Sequence, residues 1–230
     1  MTASVPEHSS SPYVFKAEPN SSHSILLNLL PENGSGRRVL DLGCAGGYLS
    51  RLLAERGYSV TAVDVPGSPP PALPSSVSYL EADLDQGLPR VEDHFDFVIC
   101  ADLLEHLRNP DRLLRDIREQ MKPGGMLVGS LPNSGNIYFR LNVLFGRFPM
   151  DDRGLFDRTH VHFYMWRGWN ELLERNGFRI TTVRPTVIPF SLALPGSSGV
   201  GRAVESVYAL LARAWKKLFA YQFVVLASMA

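Results

Sequence analysis

The sequence predicts an α/β fold on a doubly wound, mostly parallel sheet of about seven strands, and three observations carry this. A short apolar run, Val39-Leu40-Asp41-Leu42, opens into the glycine-rich turn Gly43-Cys44-Ala45-Gly46-Gly47 and then a helical pattern. A second apolar run, Ser59-Val60-Thr61-Ala62-Val63-Asp64, follows and ends on a carboxylate. Short apolar runs then continue to alternate with helical patterns, which is the order of a parallel sheet wound with helices.

The elements follow in order. After the glycine turn, Leu49, Leu52 and Leu53 share one helix face, and Gly57 is the stop. Val77-Ser78-Tyr79-Leu80 reads as the third strand and Phe95 to Ala101, rich in β-branched and aromatic residues, as the fourth. Asn109-Pro110 supplies the N-cap and first-turn proline of a helix that buries Leu113, Leu114, Ile117 and Met121. Lys122-Pro123-Gly124-Gly125 ends that helix before a fifth strand, Met126 to Leu131. A sixth strand runs from about Phe178 to Val187 and the last from Tyr221 to Ala227.

The strand, glycine turn, helix, strand and terminal acid form the mononucleotide-binding half of such a sheet. The glycines let a ligand approach the backbone, and Asp64 can accept hydrogen bonds from both hydroxyls of a ribose, so an adenosine-containing cofactor is predicted. A dinucleotide site wants G-x-G-x-x-G. Here the spacing is Gly43-x-x-Gly46-Gly47, with Asp41 two residues before it, an acid that repels a pyrophosphate and attracts an ammonium. A nucleotide-dependent dehydrogenase is therefore disfavoured.

This segment resembles motif I of the class I S-adenosylmethionine-dependent methyltransferases, acid-x-Gly-x-x-x-Gly. "MKPGGMLVGSLPN" looks like the same superfamily, and the resemblance runs from about Arg37 to Val187, with further agreement at the last strand. It implies a Rossmann-like sheet whose last strand is antiparallel, within a single domain over residues 19–230, and S-adenosyl-L-methionine as cofactor. The cofactor-binding residues it implies are Asp41, Gly43, Cys44, Ala45, Gly47, Asp64, Val65, Asp83, Leu84 and Ala101. Asp41, Gly43 and Gly47 would face the methionyl part, Asp64 the ribose and Asp83 the adenine amino group.

Lysine plus arginine balance aspartate plus glutamate at 23 each, so the chain lacks the charge excess of a nucleic-acid binder. Its two cysteines, Cys44 and Cys100, fall at ends of predicted strands and read as small packing residues in a reducing compartment. With neither a signal-peptide core nor a membrane-spanning run, a cytoplasmic location is expected, peripheral to the membrane in one reading.

Methyl transfer needs donor and acceptor in line and, for a hydroxyl acceptor, a group to relieve its proton. Asp102, Glu105 and His106 follow the fourth strand, at the sheet edge where such folds bind ligands. "ADLLEHL" resembles the E-x-x-E-H element of ubiquinone-pathway O-methyltransferases and of small-RNA 2′-O-methyltransferases. Thr159-His160 matches the end of the Gly-Thr-His element of the ubiquinone enzymes, with His162 as the competing choice. The resemblance implies His106 and His160 as catalytic residues. It also implies Asp102, Glu105, His106 and His160 as the shell of a divalent metal that is possible but not favoured. Asp102 stands where those families have glutamate.

"FGRFPMDDRGLFDRTHVHFY" resembles bacterial methyltransferases of polysaccharide and glycolipid biosynthesis, which makes residues 133–165 an active-site loop or lid and the acceptor a small molecule or glycan, lipid-linked in one reading. Asp157 and Arg158 read as a lid contact or as a salt bridge that pins the loop. Residues 1–18 are expected to be flexible. Tyr13 and His23 read as surface packing before cofactor contacts. Five prolines between Pro66 and Pro74 exclude a regular helix after the second strand. Residues 196–219 are expected to form an amphipathic insertion, with Val204, Val207, Tyr208, Leu211, Trp215 and Leu218 on one face. Its alternative roles are packing, a lid and a membrane contact. The functional expectation is an O-methyltransferase of a small molecule or glycan. A non-catalytic cofactor-binding partner and a small-RNA 2′-O-methyltransferase are the alternatives.

Overall fold

A computed structural model of the protein describes residues 21–67, 73–91, 94–187 and 200–230, with side chains from residue 206 in the last segment. Residues 1–20, Tyr13 among them, the prolines at 69–71, and residues 188–199 lie outside the described residues.

Seven strands form one sheet in the order β3-β2-β1-β4-β5-β7-β6. They are β1 (Arg38–Leu42), β2 (Ser59–Asp64), β3 (Val77–Glu81), β4 (Phe95–Ala101), β5 (Met121–Pro132), β6 (Phe178–Pro185) and β7 (Gln222–Met229). The first five pair in parallel, whereas β7 inserts antiparallel between β5 and β6. The expected doubly wound sheet with an antiparallel last strand is thus present. The order reverses between β1 and β4, where Leu42 lies beside Cys100. Their carboxyl ends therefore open a crevice at the switch point.

Period-two alternation divides the core between the two faces of the sheet. Leu40, Leu42, Val98 and Cys100 pack with Leu113, Ile117, Trp169 and Leu172, which belong to α3 (Pro110–Gln120) and α5 (Trp166–Arg175). On the other face Val39, Ile99, Val128 and Val224 pack with Leu26 and Leu53, from α1 (Ser22–Leu29) and α2 (Tyr48–Glu55). The Asn109 side chain caps α3 through the Arg112 N–H, with Pro110 in the first turn.

Two elements depart from expectation. β5 begins at Met121 instead of Met126, because Met121 pairs with Phe95 and the Lys122–Gly125 turn is absorbed as a register shift between Phe95 and Phe97. The helix expected over the C-terminal insertion is broken. α6 (Val200–Ala214) ends where Trp215 takes φ −135° and ψ 65°, and the short α7 (Lys216–Phe219) follows. Of the expected apolar face, Val207, Leu211 and Trp215 are exposed, whereas Ala212 and Ala220, outside that face, are buried. Val204 lies outside the described side chains. Among the described residues no helix is long and apolar enough to cross a membrane.

Candidate active site

A cavity of about 350 Å³ lies at the switch point, between the turns that follow β1 and β4. That volume is within the range of small-molecule sites, roughly 300–1,000 Å³. Asp41, Gly43, Cys44, Ala45, Asp64 and Ala101 line it, joined on the far side by Asp102, His106 and Thr159. His23, Tyr48 and Leu49 complete the wall.

The turn after β1 is built for close approach. Gly43 and Gly47 have φ 68° and Ala45 φ 45°, a left-handed conformation that glycine adopts without strain. A Cβ on Gly43 would lie 3.1 Å from Leu103 Cδ1. Gly47 is the left-handed residue that starts α2 and does not itself line the cavity.

Two acids converge here. Asp41 is buried and its Oδ2 accepts from Ser50 Oγ at 2.6 Å. Burial raises its carboxyl to about 6; the Ser50 hydrogen bond opposes that rise and the charge of Asp64 adds to it. Asp64 at the end of β2 accepts from the Ala45 N–H at 2.5 Å and from the Val65 N–H at 2.7 Å. Burial also pushes the thiols of Cys44 and Cys100 far up, so both are inert packing groups. The remaining expected contacts are less close. Val65 is exposed, Leu84 belongs to the core, and Asp83 is exposed with its carboxylate taken by the Asp85 N–H.

On the β4 side, Glu105, His106 and His160 come together with one ligand atom from each within 4.8 Å of the others. His106 and His160 meet edge to face at 4.7 Å. Glu105 is buried 3.8 Å from His160 Nε2, and its Oε2 has no hydrogen-bond partner. Burial, with the charge of Asp102, holds the Glu105 carboxyl well above the usual carboxylate range. Burial and His106 bring His160 down to about 4, so its imidazole is neutral at physiological pH.

Asp102 departs from the shell expected for a metal. It sits at φ 49°, and its Oδ1 accepts from Ser130 Oγ at 2.5 Å and from Gln222 Nε2 at 2.9 Å. The aspartate, shorter than the family's glutamate, is tied to β5 and β7. Glu105, His106 and His160 suit a divalent cation as donors, and the orphaned Glu105 Oε2 fits such a role.

Residues 133–165 are only partly loop, since Ile137–Leu144 forms α4. Asn133 is buried and donates to the Ala220 carbonyl at 2.8 Å, which anchors the segment to the chain before β7. Phe139 stacks on Phe156 at 4.4 Å, Phe148 and Phe163 pack at their edges, and Phe163 also meets His160. Arg158 pairs with Asp152, whereas the buried Asp157 accepts from Thr159, so the expected Asp157–Arg158 bridge is replaced by two separate contacts. His162 stacks on Tyr164 and does not line the cavity. His23, read from sequence as packing first, lines the cavity. Tyr48, Leu49 and Thr159 were absent from the sequence-based set, although the first two adjoin the glycine turn and Thr159 precedes His160.

A family model described as "Methyltransferase domain" matches residues 17–183. The chain belongs to that methyltransferase family. The methyl donor of this class is S-adenosylmethionine, in accord with the acids and glycine turn of the cavity. The methyltransferase is 29% identical over 182 residues to the mitochondrial ubiquinone biosynthesis O-methyltransferase of Schizosaccharomyces pombe, covering 73% of this chain and 66% of that protein. It is 36% identical over 107 residues to the ubiquinone biosynthesis O-methyltransferase of Pseudomonas aeruginosa, covering 43% of this chain and 46% of that protein. The chain thus spans between about half and two thirds of these relatives' lengths. Among solved structures, an S-adenosylmethionine-dependent methyltransferase from Archaeoglobus fulgidus shares the fold, with TM-score 0.62 and 23% identity over 89% of this chain and 91% of that one.

Proposed function

We propose that this methyltransferase moves a methyl group from S-adenosylmethionine to a hydroxyl of a small molecule, with His106 as the proton acceptor. One observation carries the reading. The cavity that begins at Asp41, Gly43, Ala45 and Asp64 ends at His106 and Thr159, so donor and base share one space.

When bound, S-adenosylmethionine supplies an electrophilic methyl on a sulfonium. The chain's own residues do the rest. Asp64 would hold the ribose hydroxyls and Asp41 would face the ammonium, while Gly43, Cys44, Ala45 and Ala101 form the floor. Gly47 sets the turn. Val65 and Asp83, exposed after the ends of β2 and β3, form the rim, and Leu84 packs in the core behind it. His106 would take the proton of the acceptor hydroxyl as that oxygen is methylated. His160, lowered to about 4, is a weak base and packs on His106 behind the cavity lining. Phe163, exposed beside His160, and Phe148, exposed and packed on Phe163, offer an aromatic surface that suits an acceptor with an apolar or ring-bearing body. The likeness to ubiquinone biosynthesis O-methyltransferases supports oxygen as the methylated atom.

A metal-assisted variant has its own support in the unpartnered Oε2 of Glu105 beside His106 and His160. In that variant these three residues would hold the cation, whose chemistry would be to lower the pKa of the acceptor hydroxyl.

Calorimetric titration with S-adenosylmethionine, with and without Mg²⁺, Mn²⁺ or Zn²⁺, comes first. A screen of catechols and lipid-linked sugars for S-adenosylhomocysteine release follows. Micromolar cofactor binding with acceptor-dependent release, lost in His106→Gln without loss of cofactor binding, is expected. Cofactor binding with no turnover of any hydroxyl acceptor would favour a non-catalytic partner, and no binding would end the proposal.

A further inference from the structure

The segment between α4 and α5 holds a hydrogen-bonded chain that ends on the imidazole of His106. Asp157 is 3% exposed and its Oδ1 accepts from Thr159 Oγ1 at 2.6 Å and from the Thr159 N–H at 2.8 Å. Thr159 Oγ1 in turn lies 3.0 Å from His106 Nδ1, and the Thr159 carbonyl oxygen lies 3.2 Å from the same nitrogen.

The donors and acceptors allow one assignment. A threonine hydroxyl carries one hydrogen, and here Asp157 takes it. Asp157 Oδ1 also accepts from the Thr159 N–H, which can only donate, so the same oxygen acts as an acceptor towards the hydroxyl. The hydroxyl has only lone pairs left for His106, and a carbonyl oxygen never donates. Nδ1 therefore faces two acceptors and carries the hydrogen. In the neutral imidazole the lone pair is then on Nε2.

We infer that Asp157 and Thr159 are positioning residues that hold His106 in its Nδ1–H tautomer, leaving Nε2 as the lone-pair nitrogen at the active site. The segment around them is hydrogen-bonded to itself. Asp151 N–H bonds to Phe156 O and Arg158 N–H to Asp151 O, beneath the stacked Phe139 and Phe156 rings. The wrong tautomer would offer a hydrogen where the reaction needs a base. The same lone pair serves whether it takes a proton or a cation. Only the kinetic consequence rests on the methyl transfer proposed above.

The test is ¹⁵N NMR of histidine-labelled protein near pH 8, with the His106 signals assigned by their loss in His106→Gln. The expected result is the Nδ1–H pattern for His106 in the wild type. Thr159→Val should reduce the Nδ1–H population, and Thr159→Ser should restore it. In turnover, Thr159→Val should lower kcat about 10- to 100-fold, the usual cost of losing a partner that orients a functional histidine, with little change in the KM for cofactor. An Nε2–H pattern in the wild type, or a Thr159→Val spectrum identical to wild type, would overturn the inference. The wild-type spectrum is decisive even if a variant fails to fold. If the protein methylates none of the acceptors tried, the functional reading fails while the tautomer is still read directly.

Discussion

Replacing Asp41 by Asn should make the protein more stable and worse at binding its cofactor. The carboxyl is 1% exposed, and its rise from the ordinary 3.8 to about 6 is caused first by burial. At about 1.4 kcal/mol per pH unit, ionised Asp41 costs the folded protein about 3 kcal/mol. The folded value lies above the unfolded one. The contribution of Asp41 to stability is therefore fully present below about 3.8 and lost as pH rises through about 6. Asparagine keeps an oxygen for Ser50 Oγ and carries no charge, so it removes most of that cost. A gain of about 1–3 kcal/mol at pH 8 is expected. It corresponds to roughly 2–12 °C in Tm, at the 2–4 °C per kcal/mol typical of this size. The assay is thermal and urea unfolding of both proteins without cofactor at pH 8, 6 and 4, paired with calorimetry at pH 8. The stability gain should shrink to near zero at pH 4, where both side chains are neutral in the folded state. Cofactor affinity should fall at least about tenfold, since the buried charge is kept for a cationic ligand. A variant less stable than wild type at pH 8, or one gaining equally at pH 4, would refute the reasoning.

Three further outcomes follow from particular contacts. Asp64→Ala removes the acceptor of the Ala45 N–H and of the ribose hydroxyls, so calorimetry should show a loss of about 100-fold in cofactor affinity, from charged hydrogen bonds of about 1.5–3 kcal/mol. Trp169→Phe deletes the buried bond from Nε1 to the Pro132 carbonyl at 2.7 Å and should cost about 1–3 kcal/mol in urea unfolding. Asp111 accepts from Arg175 at 2.6 and 2.7 Å and from Asn176 at 2.7 Å, and Arg175 chiefly lowers its carboxyl to about 2. Its stabilising effect, about 1 kcal/mol after screening by solvent, is present above about pH 4 and lost as pH falls through about 2. Asp111→Ala should therefore differ from wild type in unfolding at pH 7 and match it near pH 2.

The sheet was legible because parallel strands announce themselves locally. Each of β1, β2 and β4 is a short apolar run buried on both faces, and each ends beside a turn or an acid. The broken α6–α7 helix was not legible, because a 3.6-residue pattern states that a face is apolar and not what covers it. Val207, Leu211 and Trp215 fit the pattern, yet the turn at Trp215 leaves all three exposed.

The site divides in the same way. By itself, the sequence determined the switch-point crevice and its floor, because Asp41 and Asp64 lie on two adjacent strands and Gly43 and Ala45 in the turn that leaves the first of them. Only the tertiary structure decided the acceptor side. Glu105 and His106 lie more than fifty residues from Thr159 and His160, and nothing local says which side chains meet. Asp102 and Glu105 stand in one short motif, yet packing sent the first to Ser130 and Gln222 and left the second unpartnered beside the histidines. Local patterns fix where the backbone goes, but the partners of a buried polar group depend on distant segments that fill the same space.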